Sequence, residues 1–397
     1  MACGPGCAPR MTPQALAKKQ VVVAVTGSIA AVEVIRLIHS LRRRGAVVQT
    51  VMSEAATGII SPDSLTYASG RPAITRISGM VEHVTYCGDG GSADLLLIAP
   101  CTANTISKIA CGIDDTPVTT FATTALGSGI PILIAPAMHH SMYRHPAVHG
   151  NLECLRAWGV GIIDPRIEEG KAKIADTDTI VLRTERAILG HPLRGKRVLI
   201  TSGPCREPVD DIRVLTTRST GHMGRALALE AYRLGADVTV VHRDEFPCVR
   251  NVPVDSAADM RDAVHRCFSE GVGTDIYISA AAISDFAMKK SPGKIPSGRK
   301  TRLELEPQPK LLDEVLRQWK PLTVAFKLGD APVRQSRQML AKGVAAVLMN
   351  SQKTMGSRDG EYMLLSAKGQ KPLTGSKEAV AHAFWKEMVP LMENPYP

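Results

Sequence analysis

The stretch QVVVAVTGSIAAVEVIRLIHSLRRRGAVVQTVM, residues 20–52, decides the fold class. Gln20–Val25 is a β-branched run ending in Thr26-Gly27-Ser28, after which Ala31, Val34, Ile35, Ile38 and Leu41 recur at helical spacing. Gly45 closes that helix and Val47–Met52 reads as a second strand. A strand, a tight turn, a helix and another strand form the unit that builds parallel sheets. Further units follow, with strands expected at Leu95–Ala99, Thr119–Ala122 and Ile132–Ala135 and helices at Thr105–Cys111 and His149–Trp158.

The plan starts again at Gly195-Lys196: Arg197–Thr201 reads as a strand, Met223–Leu234 as a helix stopped by Gly235, and Asp237–His242 as a strand. Strands at Asp275–Ala280, Thr323–Lys327, Ala345–Met349 and Tyr362–Leu365 alternate with helices at Met260–Ser269, Leu311–Gln318, Arg334–Lys342 and Lys377–Met388. The expected fold is α/β, with two doubly wound Rossmann-like domains. The charged stretch Arg183–Arg197, with Gly190, Pro192 and Gly195, reads as the linker. The expected segments are a disordered extension over 1–18, one domain over 19–189 and a second over 190–397.

With 397 residues, 44% of them hydrophobic and 22% charged, the chain has ordinary globular composition and room for two or three cores. The net charge of +10 favours anionic partners such as phosphates and nucleotides. Nucleic acid fits only that charge, because aromatics are 4% and no reader motif stands out. No apolar run approaches the roughly 20 residues that span a bilayer. The N-terminus lacks the apolar core of a secretory signal, so a cytoplasmic protein is expected, and Met11 offers an alternative start. Nine scattered cysteines do not form a disulfide framework; Cys3 and Cys7 lack the second close pair of a metal site.

Thr26-Gly27-Ser28, at the carboxyl end of a strand, presents backbone N–H groups and hydroxyls where a phosphate is stabilised, although such turns are as often structural. Ala99-Pro100-Cys101-Thr102-Ala103-Asn104 makes a second such turn, and two of them imply one cleft. Pro136–Met142, PAMHHSM, is expected to be a loop beside it. His83 is either an acid–base group or a surface residue; its position leaves both open. In the second half, Thr201-Ser202-Gly203-Pro204 and Ser219–Gly224 flank a long loop able to offer backbone N–H groups to a triphosphate. The loop Met288–Arg302, with Lys289, Lys290, Lys294, Arg299 and Lys300, is either a phosphate clamp or a solvated loop.

From about Lys19 the chain resembles the bifunctional coenzyme A biosynthesis proteins, which join a phosphopantothenoylcysteine decarboxylase to a phosphopantothenate–cysteine ligase. The likeness rests on VTGSIAA (25–31), SEAATGIISPDSL (53–65), EHV (82–84), LLIAPCTANTISKIACGIDD (96–115) and PAMHHSMY (136–143). It continues in TSGPCREPVDDIR (201–213), RSTGHMG (218–224), AAAISDF (280–286), GKI (293–295), VAFKLGD (324–330) and Asn350. It implies a flavodoxin-like flavoprotein domain binding FMN through Gly27, Ser28, Ser53, Thr102, Asn104 and Met138, with His83 catalytic. FMN there oxidises the thiol substrate to a thioaldehyde, the β-carboxylate leaves as carbon dioxide, and the hydride returns. The second domain is implied to bind CTP (or ATP), 4′-phosphopantothenate, cysteine and Mg²⁺. Its implied binding residues are Gly203, Ser219, Gly221, Asp285, Lys294, Phe326, Lys327 and Asn350, with Lys294 catalytic. A homo-oligomer is implied, trimers of the flavin domain joined by dimers of the ligase domain.

The chain departs from the family pattern at four places. The usual Pro-x-Met-Asn loop reads Pro136-Ala137-Met138-His139, and Glu168–Lys173 stands where a clamp cysteine protonates the enethiolate. Thr217 replaces an asparagine, and Lys327-Leu328 replaces Ala-Glu. His139 is therefore expected to supply the missing proton, with Lys171 or Lys173 holding a substrate anion. The alternatives are a ligase carrying an impaired flavin domain and a flavin oxidoreductase.

Overall fold

The computed structural model describes residues 14–270, 273–298, 301–329, 333–354 and 356–393. Cys3, Cys7, Met11, Arg299, Lys300 and Asp330, all singled out above, lie outside them. The chain divides into two compact units, Gln14–Leu189 and Gly190–Pro397. Among the described residues no helix is long and apolar enough to cross a membrane.

In the first unit, β1 (Gln20–Val25), β2 (Val47–Met52), β3 (Leu95–Cys101), β4 (Ile132–Pro136) and β6 (Gly161–Ile162) form a parallel sheet in the order β2-β1-β3-β4-β6. β1 is apolar at nearly every position because it is buried on both faces. Val21, Val23 and Val25 enter one core with Val34, Leu37, Ile38 and Leu41 of the Val34–Arg43 helix. Val22 and Ala24 enter the opposite core with Ile106, Phe121 and Leu152. Each such large aliphatic side chain contributes about 1.5–3 kcal/mol relative to exposure. Beyond the sheet, β5 (Met138–His139), β7 (Arg166–Glu168) and β8 (Lys171–Lys173) make a small antiparallel flap, ordered β5-β8-β7.

The second unit has an eight-stranded sheet. Its strands are β9 (Arg197–Thr201), β12 (Asp237–His242), β13 (Arg250–Pro253), β14 (Ile276–Ser279), β17 (Leu322–Leu328), β18 (Ala346–Asn350), β19 (Asp359–Ser366) and β20 (Gly369–Ser376). The order is β13-β12-β9-β14-β17-β18-β19-β20, with the last two antiparallel. Two ribbons, β10 (Arg206–Pro208) with β11 (Val214–Thr216) and β15 (Phe286–Ala287) with β16 (Glu306–Pro307), stand off it. Both sheets reverse their strand order once, between β1 and β3 in the first unit and between β9 and β14 in the second. Ligands bind α/β sheets at the carboxyl ends of strands flanking such a point.

Three expectations fail. Thr119–Ala122 is not a strand but lies in the Pro117–Ser128 helix. The β-branched composition misleads there: Thr116 and Thr119 cap each other reciprocally, Pro117 starts the first turn, and local capping outweighs strand propensity. The linker is shorter than Arg183–Arg197, because 183–188 finishes the Thr177–Ile188 helix with Thr184 and Glu185 fully buried. Arg44 lies 3.4 Å from Glu185, which explains a charge in a position that reads as solvent-facing. Residues 14–18 are not a disordered extension: Leu16 is buried in the first core and its N–H donates to the Arg44 carbonyl.

Candidate functional sites at two strand crossovers

At the β1/β3 crossover, Thr26 ties the two strand ends together. Its hydroxyl donates to the Pro100 carbonyl at 2.8 Å and accepts from the Thr102 N–H at 3.0 Å. Thr102 in turn caps the Ala103–Ala110 helix by accepting the Thr105 N–H. The Ser53 N–H donates to the Val25 carbonyl, and its hydroxyl caps the Glu54–Thr57 turn. A Cβ on Gly27 would lie 2.6 Å from the Ala55 Cβ, so only glycine lets these turns meet. Ser28 precedes the next turn, Ile29–Glu33, without a side-chain capping bond, and Asn104 is exposed at the start of its helix. Gly27, Ser28, Ser53 and Thr102 lie on turns at the carboxyl ends of β1, β2 and β3, and Asn104 lies in the first turn of the helix that follows β3. N–H groups and hydroxyls at such strand ends suit a phosphorylated ligand.

His83 sits on the Glu82–Cys87 helix, half-buried, and among the described residues its Nδ1 is a buried atom without a hydrogen-bond partner. The helix is anchored at both ends. Glu82 accepts the Ser78 N–H at 2.9 Å and the Ser78 hydroxyl, which hold its carboxyl below the usual range. Tyr86 donates to Gln49 at 3.1 Å, and Cys87 enters the core, where burial pushes its thiol up to about 12.

The PAMHHSM segment is not a plain loop: Met138 and His139 pair with Ala172 and Lys171 of the flap. Glu169 and Gly170, at φ 51° and 69°, turn the β7–β8 hairpin, and the His140 N–H donates to the Gly170 carbonyl. His139 is exposed, with Nδ1 2.8 Å from the Ser141 hydroxyl, which leaves Nε2 outward. Lys173 lies 3.2 Å from Glu168 and 3.0 Å from Glu169. Lys171, opposite His139, has no ion pair among the described residues.

At the β9/β14 crossover of the second unit, the Ala282 N–H donates to the Gly203 carbonyl at 2.9 Å. Gly203 and Gly221 both have φ between 70° and 79°. A Cβ on Gly224 would lie 2.2 Å from the Ser202 hydroxyl oxygen, so the His222–Arg233 helix packs directly on the strand end. Around that helix N-terminus lies a cavity of about 190 Å³ lined by Ser219–Gly224, Ala280–Ala282, Phe326, Asn350 and Lys377. Ser219, Gly221, Phe326 and Asn350 are thereby brought together. Lys327 is not among the lining residues, since neighbours along a strand face opposite sides and Phe326 takes the cavity side. Asp285 and Lys294 are exposed, on the Ala280–Phe286 and Met288–Gly298 segments, and do not line it. Lys377, Tyr362 and Thr354 line the cavity without having been read from the sequence. Nothing in Ser376-Lys377 marks the lysine as buried; the pair reads only as a capped helix start.

Two doubly wound units, each with a phosphate-suited crevice at its crossover, define a tandem α/β protein of nucleotide or cofactor chemistry. Residues 9–189 match the Flavoprotein family model, and residues 193–391 match the model of the DNA/pantothenate metabolism flavoprotein C-terminal domain. The coenzyme A biosynthesis bifunctional protein CoaBC of Thermococcus kodakarensis is 44% identical over 387 residues, 94% of this chain and 95% of that one. The CoaBC protein of Bacillus subtilis is 33% identical over 373 residues, 87% of this chain and 89% of that one. A crystal structure of a CoaBC C-terminal domain aligns at 27% identity and TM-score 0.44, covering 52% of this chain and all of that one. This chain belongs to the CoaBC family of bifunctional enzymes of coenzyme A biosynthesis, with ligase and decarboxylase activities.

Proposed function

We propose that the second unit joins 4′-phosphopantothenate to cysteine at the expense of CTP, or of ATP as the alternative, and that the first unit decarboxylates the product with FMN to 4′-phosphopantetheine. The observation that carries this reading is the collinear match of both halves to one bifunctional relative at 44% identity. The reaction belongs to the cytoplasm, where both cysteine and nucleoside triphosphate are available. The test is one incubation of the full chain with FMN, Mg²⁺, phosphopantothenate, cysteine and CTP or ATP, read by mass spectrometry. Phosphopantetheine and carbon dioxide support both halves. Accumulated phosphopantothenoylcysteine supports a ligase with an impaired flavin domain instead, the reading favoured by a flap without cysteine.

In ligation, the substrate carboxylate attacks the nucleotide α-phosphorus and pyrophosphate leaves; the cysteine amine then displaces the nucleotide monophosphate. Ser219 and Gly221 border the phosphates, Gly203 gives the turn its close approach, and Phe326 and Asn350 line the pocket wall. Mg²⁺ would accompany the triphosphate as its counter-charge, and Lys294 would neutralise charge building on the phosphates. Asp285, on an exposed loop segment, keeps its assignment as a nucleotide contact through loop closure over the crevice, whereas Lys327, fixed in β17 on the face opposite Phe326, does not.

The first crevice fits FMN, since the turns at the carboxyl ends of β1, β2 and β3, brought together at Gly27 against Ala55, offer N–H groups and hydroxyls to a phosphate. When bound there, FMN would supply the reversible two-electron oxidation and reduction that decarboxylation of the thiol substrate requires. The chain's own residues orient and protonate. Gly27 and Ser28 hold the phosphate, with Ser53, Thr102, Asn104 and Met138 around the rest. Ile29 and Met80, 78% and 75% exposed beside Ser28 and His83, favour a second copy completing the site, in trimers joined through ligase dimers. Gly27→Val should yield protein that elutes without yellow colour yet keeps its far-ultraviolet dichroism; retained flavin absorbance at 450 nm would place the phosphate elsewhere.

His139 takes over protonation of the enethiolate. Its Nδ1 is engaged by Ser141, and Lys171 stands in register opposite it as the cation for a substrate anion, whereas Lys173 is neutralised by Glu168 and Glu169. His139→Ala should lower decarboxylation by about 100-fold with flavin binding intact. A wild-type rate would end this assignment.

A further inference from the structure

Lys377 opens the Lys377–Glu393 helix with a side chain only 8% exposed. Its Nζ donates to the Thr354 carbonyl at 3.1 Å and to the Tyr362 hydroxyl, and lies 4.7 Å from the Tyr362 ring centroid. An ammonium has three N–H donors, so these two contacts leave one. Lys377 makes no ion pair among the described residues, and no Asp or Glu is among those lining the cavity it borders. Burial pushes its pKa down, with Asp359 opposing that shift.

A buried ammonium without a counter-charge is disfavoured unless an anion completes it. The same cavity is bordered by the N-terminus of the His222–Arg233 helix, the hydroxyls of Ser219 and Thr220, and the glycines 221 and 224. At about 190 Å³ this corner of the open crevice is smaller than the roughly 300–1,000 Å³ that enclose a whole small molecule, so it suits one charged group of a ligand whose remainder lies along the crevice outside it. We propose that Lys377 and the helix N-terminus together clamp a single phosphate group, with Tyr362 and Thr354 fixing the ammonium toward it. Assigning the phosphate to a substrate rests on the ligase reading, in which both the nucleotide and 4′-phosphopantothenate carry one.

The test uses the full chain and two probes. With inorganic phosphate followed by calorimetry, Lys377→Met should bind at least about 10-fold more weakly than the parent, and Lys377→Arg should recover part of that loss. In steady-state ligation, a rise of about 10-fold in KM for phosphopantothenate alone assigns the clamp to that substrate, and the same rise for CTP alone assigns it to the nucleotide. Tyr362→Phe, which keeps the charge and removes one of its restraints, should weaken phosphate binding in the same direction and serves if the methionine variant does not fold. Folded variants with parental phosphate affinity and both KM values unchanged would overturn the proposal. A parent protein that makes no phosphopantothenoylcysteine would instead defeat the ligase reading, and the phosphate titration would still decide the clamp.

Discussion

Lys294→Gln should cut phosphopantothenoylcysteine formation by about 10²–10³-fold while leaving the melting temperature unchanged. The side chain is exposed and has no ion pair among the described residues, so the folded state loses little when its charge is removed. The backbone on either side is held firmly. The Gly293 N–H donates to Asp211 at 2.9 Å, and the Ile295 N–H donates to Asp210 at 3.0 Å. The Ile295 N–H, followed by those of Ile212 and Arg213, holds the Asp210 carboxyl at about 2 despite its burial. Lys290 does the same for Asp211, lying 2.7 Å from it and lowering its pKa. Both tethers stay ionised at neutral pH and neither involves the Lys294 ammonium, so glutamine leaves the loop in place. On the proposed ligase reading, what it removes is the cation for the transferring phosphates, where charge builds only in the transition state. Mass-spectrometric initial rates at saturating CTP provide the measurement, with the tethered loop checked by unchanged heat denaturation. Near-parental ligation would refute the catalytic role of Lys294.

The sheets were legible because their central strands are buried on both faces: β1 and β3 read as near-continuous apolar runs, and the turns after them carry glycine or hydroxyl residues. What escaped reading depends on partners distant in sequence or on elements too short for a period. The flap strands have two or three residues each, so PAMHHSM shows no alternation and its pairing with Lys171–Lys173 is invisible. The Asp210 and Asp211 tethers span more than 80 residues. Thr119–Ala122 misled because threonine and phenylalanine favour strands intrinsically, whereas the Thr116 cap acts only once the helix has begun. At the sites, the hydroxyl and glycine turns were readable from their place after strands. The burial of Lys377 was not, because a lysine at a helix start is ordinarily solvated and only the Thr354 and Tyr362 contacts make it otherwise.

His83→Asn should lower decarboxylation by about 10²–10⁴-fold, the range that acid–base side chains contribute, with flavin content and ligation unaffected. Its Nδ1 is buried without a partner among the described residues, an arrangement that costs about 1–3 kcal/mol and is retained where a ligand or neighbouring copy completes it. The surrounding helix does not depend on the ring. Ser78 holds Glu82 at one end, while the Tyr86 hydroxyl and the buried Cys87 hold the other, so asparagine at 83 leaves the backbone where it is. Asparagine keeps polar capacity of similar reach but neither accepts nor releases a proton near neutral pH. In the coupled reaction the variant should therefore stall after ligation, accumulating phosphopantothenoylcysteine on a protein that is still yellow. The same stall in His139→Ala would differ in kind: if His139 acts only in the final protonation, that variant still reduces its flavin on adding substrate, whereas a variant blocked in the first oxidation does not. Stopped-flow bleaching of the flavin separates the two. Full bleaching at the parental rate in His83→Asn would move His83 out of the oxidative step, and unimpaired phosphopantetheine formation would remove it from the mechanism.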